Sequence, residues 1–277
     1  MEADKYKPGF IIYSDSHTLK TWQSATTVLI AGNAHSGPRY KEGVGAAAEF
    51  NDIRGFTQIS NKSVIVADAK NHCLRLLDRT TNSTSVFSGT CQIQGSDDVR
   101  PGKFSQPWSV IVDQKDNNKL FVTDTGNKAL RTIDLVTRVV STFVKSDLFV
   151  VNSMYLTQDK QGDIYIACYY AIYKVTYKER KIVHLAGDAS KHGYADSTLL
   201  DSLFYAIGDL IFVVPDMLLV ADKYNHLLRI VDIKSDKVRT LKLSNYEDMW
   251  NPVTMLLTEN FFYVGRDDRK TLQYIRE

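Results

Sequence analysis

In the stretch "VADAKNHCLRLLD" (66–78), His72 and Cys73 stand side by side, with Asp68 just ahead of them and Arg75 just beyond. Imidazole and thiolate are both metal ligands and both catalytic groups, a carboxylate can orient the imidazole, and a guanidinium can hold an anion. Those types at that spacing allow a small metal, nucleophilic or anion site. They equally suit a tight turn between two strands, where Asn and Asp bond their own backbone.

Self-similarity along the chain weighs between the two. Residues 122–134 read "VTDTGNKALRTID" and residues 220–232 read "VADKYNHLLRIVD". Each copy places Asp, then Asn three positions on, then Arg at the seventh: Asp68, Asn71, Arg75; Asp124, Asn127, Arg131; Asp222, Asn225, Arg229. Looser copies follow the same plan around Asp15, with Cys168 in the Asp position of "IACYYAIYKV", and with Arg266 there in "VGRDDRKTLQYI". The anchors 15, 68, 124, 168, 222 and 266 recur roughly every 50 residues, the period of propeller blades.

Each unit also divides like a four-stranded blade. "GFTQIS", "SVIVAD", "LRLLDRT" and "STSVFSGT" are separated by turn-formers at 61–62 and 81–82. Val, Ile and Leu often occupy consecutive positions, as in sheets covered on both faces. No segment keeps a helical apolar period. The expected fold is all-β: one β-propeller over residues 1–277, of four-stranded antiparallel blades near 8–50, 51–104, 105–149, 150–204, 205–250 and 251–277. Six second strands argue for six blades, with five as the alternative. The first unit is expected to lack its innermost strand, and the terminal segments to close the ring. Phe50, Phe104 and Phe204, which end the linkers, are expected to plug the spaces between blades.

Composition is that of a globular protein, and 34 Lys and Arg against 32 Asp and Glu give no strong nucleic-acid signal. The longest apolar runs are too short for a membrane span, and the opening "MEADKYKPG" has no apolar core for a signal peptide.

At "NHCLR" and "NHLLR" the chain resembles the NHL-repeat family, whose Asn-His-Leu motif builds six-bladed propellers. The likeness spans nearly the whole chain and is strongest in the second, third and fifth units. Resemblance to such propellers also implies two other functions to weigh, RNA binding in the cytosol and metal-dependent lyase or lactonase chemistry.

With the turn centred between Asn71 and His72, Asp68 is expected opposite Arg75 as a partly exposed cross-strand pair, contributing roughly 0.2–1 kcal/mol. Recurrence assigns Asp68, Asn71, His72 and Arg75 to architecture. Cys73 differs, because Ala129 and Leu227 take its place in the other strong copies. Antiparallel pairing is expected to bring Cys73 to Cys91, at the end of the fourth strand, as a disulfide; two reduced, buried thiols are the alternative. A disulfide implies the secretory pathway or an extracellular location. The sequons at Asn61 and Asn82, both in expected hairpin turns, agree with a glycoprotein. Cys168 is expected to be a buried free thiol.

Function in a propeller is expected at the channel mouth or the loop-rich face. Aligning the innermost strands puts Arg54, Trp108 and Asn152 in one column, with Ile207 and Val253 as the later equivalents. A cation, an aromatic plate and an amide suit a protein or peptide partner first, and a small polar ligand second. Linker residues Arg39, Lys41, Glu42, Asp97, Asp98, Lys191, His192, Tyr194 and Asp196 would add a mixed-charge recognition face. The six histidines show no metal-ligand spacing, and no catalytic triad or phosphate-binding loop is present. The sequence therefore assigns no metal, cofactor or catalytic residue. It points to an extracellular, non-catalytic recognition or scaffold module, a domain of a larger secreted or membrane-anchored protein. A cytosolic propeller binding RNA or protein is second, and a metal-dependent lyase or lactonase-like enzyme third.

Overall fold

The computed structural model describes residues 1–4, 11–23, 26–34, 39–149, 154–213, 216–242, 251–258, 262–266 and 272–275. They form an all-β propeller fold of antiparallel sheets joined by short turns and longer linkers. The chain falls into two compact units, 1–149 and 150–277.

In the first unit, Glu2–Ala3, Ile11–Asp15, Thr18–Gln23 and Thr26–Gly32 make the first blade. Its innermost strand is therefore present, contrary to expectation. It was hidden because a two-residue strand carries no apolar pattern, and only its pairing with Ile11 and Ile12 reveals it. The second blade consists of Ile53–Gln58, Ser63–Asp68, Cys73–Asp78 and Ser83–Ser88, with Gly43–Val44 of the preceding linker added outside. Pro107–Val112, Lys119–Asp124, Ala129–Asp134 and Val140–Lys145 form the third.

In the second unit, Met154–Gln158, Ile164–Cys168, Ala171–Val175 and Ile182–Gly187 form the fourth blade. Ile207–Val213, Met217–Asp222, Leu227–Asp232 and Lys237–Thr240 form the fifth. Pro252–Leu257, Phe262–Arg266 and Leu272–Ile275 make a three-stranded sheet. Among the described residues there are thus five blades of four strands, not six. The repeat counted second strands, and a second strand does not guarantee that a fourth follows it.

The core lies between successive blades. Ile12, Leu19, Phe50, Val64 and Val66 pack the first against the second, and Ile65, Leu74, Phe104, Val110 and Val122 the second against the third. In the other unit, Ile172, Phe204, Leu210 and Val220 join the fourth to the fifth, and Leu219, Met255 and Val264 join the fifth to the last sheet. Ile65 thus faces one neighbour and Val64 the other, which is why adjacent positions are both apolar. Phe50, Phe104 and Phe204 are fully buried in these spaces, as plugs.

Candidate functional site

The motif that could have done chemistry is a buried strap. The turn is a 3-10 helix, Ala69–Asn71, and the left-handed residue is His72 at φ 58°, not the asparagine. Asp68 therefore pairs with Cys73 across the hairpin and Arg75 with Val66, correcting the expected Asp68–Arg75 register. The side chains still meet, with no exposure at either. Asp68 Oδ2 accepts from Asn71 and, at 3.1 Å, from Arg75 Nη1; Oδ1 accepts the Asn51 N–H at 2.7 Å. Asp124 and Asp222 accept the Ser105 and Tyr205 N–H groups in the same way and hold Arg131 and Arg229 at 2.8 Å. Each arginine also donates to the carbonyl just before the plug, that of Glu49, Lys103 or Leu203, and covers the phenylalanine ring at 5.1–5.6 Å. The motif thus fastens each linker to the next blade.

His72 has a structural task as well. Its Nδ1 accepts the Gln106 N–H at 3.1 Å, and His226 accepts from Asn251 at the same distance. Both donors precede a proline that opens the next innermost strand. In the second and fifth blades that position is isoleucine, and the N–H groups of Ile53 and Ile207 donate to the turn carbonyls of Ser16 and Tyr169. Proline has no N–H, so the histidine takes up the bond one residue earlier. Burial lowers the pKa of His72, which keeps the ring neutral and accepting.

The linker acids are structural rather than free recognition groups. Glu42, Asp98 and Asp196 each accept the backbone N–H of an outer strand, at Val86, Thr142 and Thr240. Asp98 and Asp196 also bind the Arg131 and Arg229 guanidinium groups, at 2.5 and 2.7 Å. Burial pushes both carboxyls up, but these donors outweigh it and hold them below the usual range.

At the innermost strands, Arg54 and Trp108 do come together. The guanidinium lies 4.2 Å over the indole ring and donates to Asp52 at 2.8 Å. Lys70 reaches the same carboxylate at 3.4 Å. Trp108 is only 8% exposed, so it supports the arginine rather than offering a free plate. Asn152 lies outside the described residues. Pairing also corrects the column: Ile207 opposes Asp222 as Ile53 opposes Asp68 and Pro107 opposes Asp124, so Gly208 matches Arg54. Bulges after Ile53 and Pro107 put Arg54 and Trp108 on the irregular part of each strand, where a bulge re-aims side chains. Two cations sharing one carboxylate leave an exposed, locally positive edge.

A second arrangement lies wholly in the second unit and was missed. Tyr169 and Tyr170 form the fourth blade's turn, His192 and Tyr205 lie in the linker, and Tyr224 lies in the fifth blade's turn. Tyr170 is 4.3 Å from Tyr169 and 6.1 Å from Tyr205. His192 stacks on Tyr205 at 4.3 Å, and Tyr224 meets Tyr205 edge-on at 5.2 Å. Lys223 lies 5.0 Å over Tyr224. The available signal was a comparison of repeats at positions next to the motif rather than within it.

Cys73 and Cys91 form a disulfide with Cα atoms 5.0 Å apart. Cys91 lies in the turn beyond the fourth strand, which ends at Ser88. Cys168 is a buried thiol outside any disulfide. Asn61 is exposed, whereas Asn82 is half-buried and its carbonyl accepts from Gly45. Among the described residues no cluster of His, Cys, Asp or Glu is arranged to hold a metal, and no helix is long and apolar enough to cross a membrane.

No family model matches the chain. It is 26% identical over 125 residues to human NHL repeat-containing protein 2, a match covering 43% of this chain and 17% of that protein. The chain therefore spans under a fifth of this relative. Among solved structures it is similar to an auxiliary nutrient binding protein of Bacteroides ovatus ATCC 8483, with a TM-score of 0.72 at 13% identity, covering 96% of this chain and 65% of that one. A similar protein of Bacteroides thetaiotaomicron VPI-5482 gives 0.72 at 12%, covering 98% and 67%. A chain of the nidogen/laminin complex gives 0.68 at 11%, covering 96% and 89%. These likenesses support an NHL-like propeller fold.

Proposed function

We propose that this propeller is a non-catalytic recognition module of the secretory pathway or extracellular space, within a larger secreted or membrane-anchored protein. Its partner at the innermost strands is an acidic segment of a protein or peptide, or a small polar anion. The observation that carries this reading is the exposed edge where Arg54 and Lys70 share the single carboxylate of Asp52 over a buried tryptophan. Fixed on an aromatic face, the guanidinium is pre-oriented and loses little freedom on meeting a carboxylate. Propellers of this fold in nutrient-binding proteins and in the nidogen/laminin complex support a binding role. The Cys73–Cys91 disulfide supports an oxidising compartment, and glycosylation at Asn61 and Asn82 belongs to the same reading.

Calorimetric titration with a hexaglutamate peptide tests the site. Binding is expected to weaken with salt, and to fall about fivefold or more in Arg54→Ala, since charged anchors commonly carry over 1 kcal/mol. Wild-type protein that ignores hexaglutamate at low salt overturns the proposal. Preferential binding of a uridine dodecamer would favour the RNA reading instead.

A further inference from the structure

The aromatic ladder is surplus to the architecture, and the repeats themselves show this. In three blades one backbone bond joins the residue after the plug to the turn ahead of the motif asparagine. It runs from Lys70 N–H to Asn51, from Gly126 to Ser105, and from Tyr224 to Tyr205. The same three linker residues donate their own N–H to the motif aspartate. Architecture therefore accepts Asn, Ser or Tyr at one position and Lys, Gly or Tyr at the other. The asparagine side chain likewise fixes a linker carbonyl at Gly95 or Gly193, and the preceding residue is Gln94 in one blade and His192 in the other. The first blade's two-residue turn is Ser16–His17, where the fourth has Tyr169–Tyr170; in both, the first turn carbonyl binds the next innermost strand. Among the described residues, the positions that the repeat leaves unconstrained are aromatic together at one junction only.

The ladder's polarity narrows its ligand. Four phenol hydroxyls and the Lys223 ammonium rim the rings. Among the described residues no carboxylate bonds any of these hydroxyls or His192. Burial and a hydrogen bond with the Tyr169 hydroxyl push the pKa of Tyr170 up. A site rich in ring faces and donors complements a ligand of apolar rings and acceptors. A polyproline segment is such a ligand, because proline carries a carbonyl and no N–H. A glycan presents donors as often as acceptors, and a nucleic acid needs more cations than one lysine supplies. The steps from Tyr170 to Tyr205 and from Tyr205 to Tyr224 are 6.1 and 5.2 Å, and the rings are tilted by 53° and 71°. Tilted rings leave troughs, into which the pyrrolidine rings of an extended polyproline helix can pack.

We propose that Tyr169, Tyr170, His192, Tyr205 and Tyr224 form a docking ladder for an extended, proline-rich peptide segment. This proposal is independent of the Arg54 reading.

Fluorescein-labelled decaproline, titrated against the full chain and followed by anisotropy, tests it. Saturable binding that changes little with salt is expected. Tyr224→Ala, at a 43% exposed position, should weaken it about tenfold. Tyr170→Phe keeps the ring and removes the donor, and is expected to weaken binding by a smaller factor. Arg54→Ala should leave it unchanged. Absence of saturable binding overturns the ladder, as does binding that survives Tyr224→Ala unchanged. Binding of cellohexaose or a uridine dodecamer in place of decaproline also overturns it. Hexaglutamate binding is a separate readout, so either proposal can fail alone.

Discussion

Arg75, Arg131 and Arg229 are among the largest fully buried side chains, and each is a charge. Their cost in lost hydration is met by a carboxylate, linker carbonyls and an aromatic face, a set that leaves little freedom to the linker. Arg229 is the best supported, since Asp196 also takes its Nε at 3.1 Å, whereas Nε of Arg75 and Arg131 has no hydrogen-bond partner among the described residues. Arg229→Met strands Asp222 as a buried charge and is expected to lower stability by about 3–5 kcal/mol in urea denaturation. A loss under about 1 kcal/mol would show that the strap is dispensable. The aspartates supply a pH prediction. Burial, against the pull of their asparagine, backbone and arginine donors, pushes Asp68 and Asp124 up to about 6. An unfolded aspartate titrates near 4, so the contribution of each is fully present below about pH 4 and is lost as pH rises through about 6. Asp68→Asn removes that dependence, and its stability relative to the parent is expected to improve from about pH 4 to about pH 6 and then level off. A difference that stays flat across this window would show the carboxylate ionised throughout.

Strands and turns were largely legible because their signals are local. "SVIVAD" and "LRLLD" announce themselves by β-branched and apolar residues between turn-formers, and the recurring Asp-Asn-Arg spacing places every motif turn. Register was less legible. The 3-10 turn adds residues that a simple hairpin does not have, so counting letters misplaced Arg75, and only the pairing with Asp222 shows that Ile207 matches Ile53 rather than Arg54. The closeness of neighbouring innermost strands was not visible either. At Gly55 an added Cβ would stand 2.7 Å from the Trp108 carbonyl oxygen, and at Gly208 2.8 Å from that of Pro252. Gly208→Ala is expected to cost about 1–3 kcal/mol, as overpacking against backbone does, measured by thermal unfolding. An unchanged midpoint would mean that these strands separate freely.

For the molecule as a whole, Cys73–Cys91 is a tie that the repeat does not require. Cys73→Ser combined with Cys91→Ser is expected to lose about 3 kcal/mol, the chain-entropy value for a loop of 18 residues. Denatured, unreduced protein should show one reactive thiol, Cys168, and three would remove the support for an oxidising compartment. What the sequence determined by itself is the repeating unit: its strands, its plugs, its recurring motif and the pairing of its cysteines. Those depend on neighbours along the chain or within a single hairpin. Tertiary structure decided which groups remain available. It buried Trp108 under Arg54, turned the linker acids inward to backbone amides, and gathered five rings from two turns and a linker into one ladder. Exposure and convergence arise where blades stack, between residues tens of positions apart, and no local pattern in the chain encodes them.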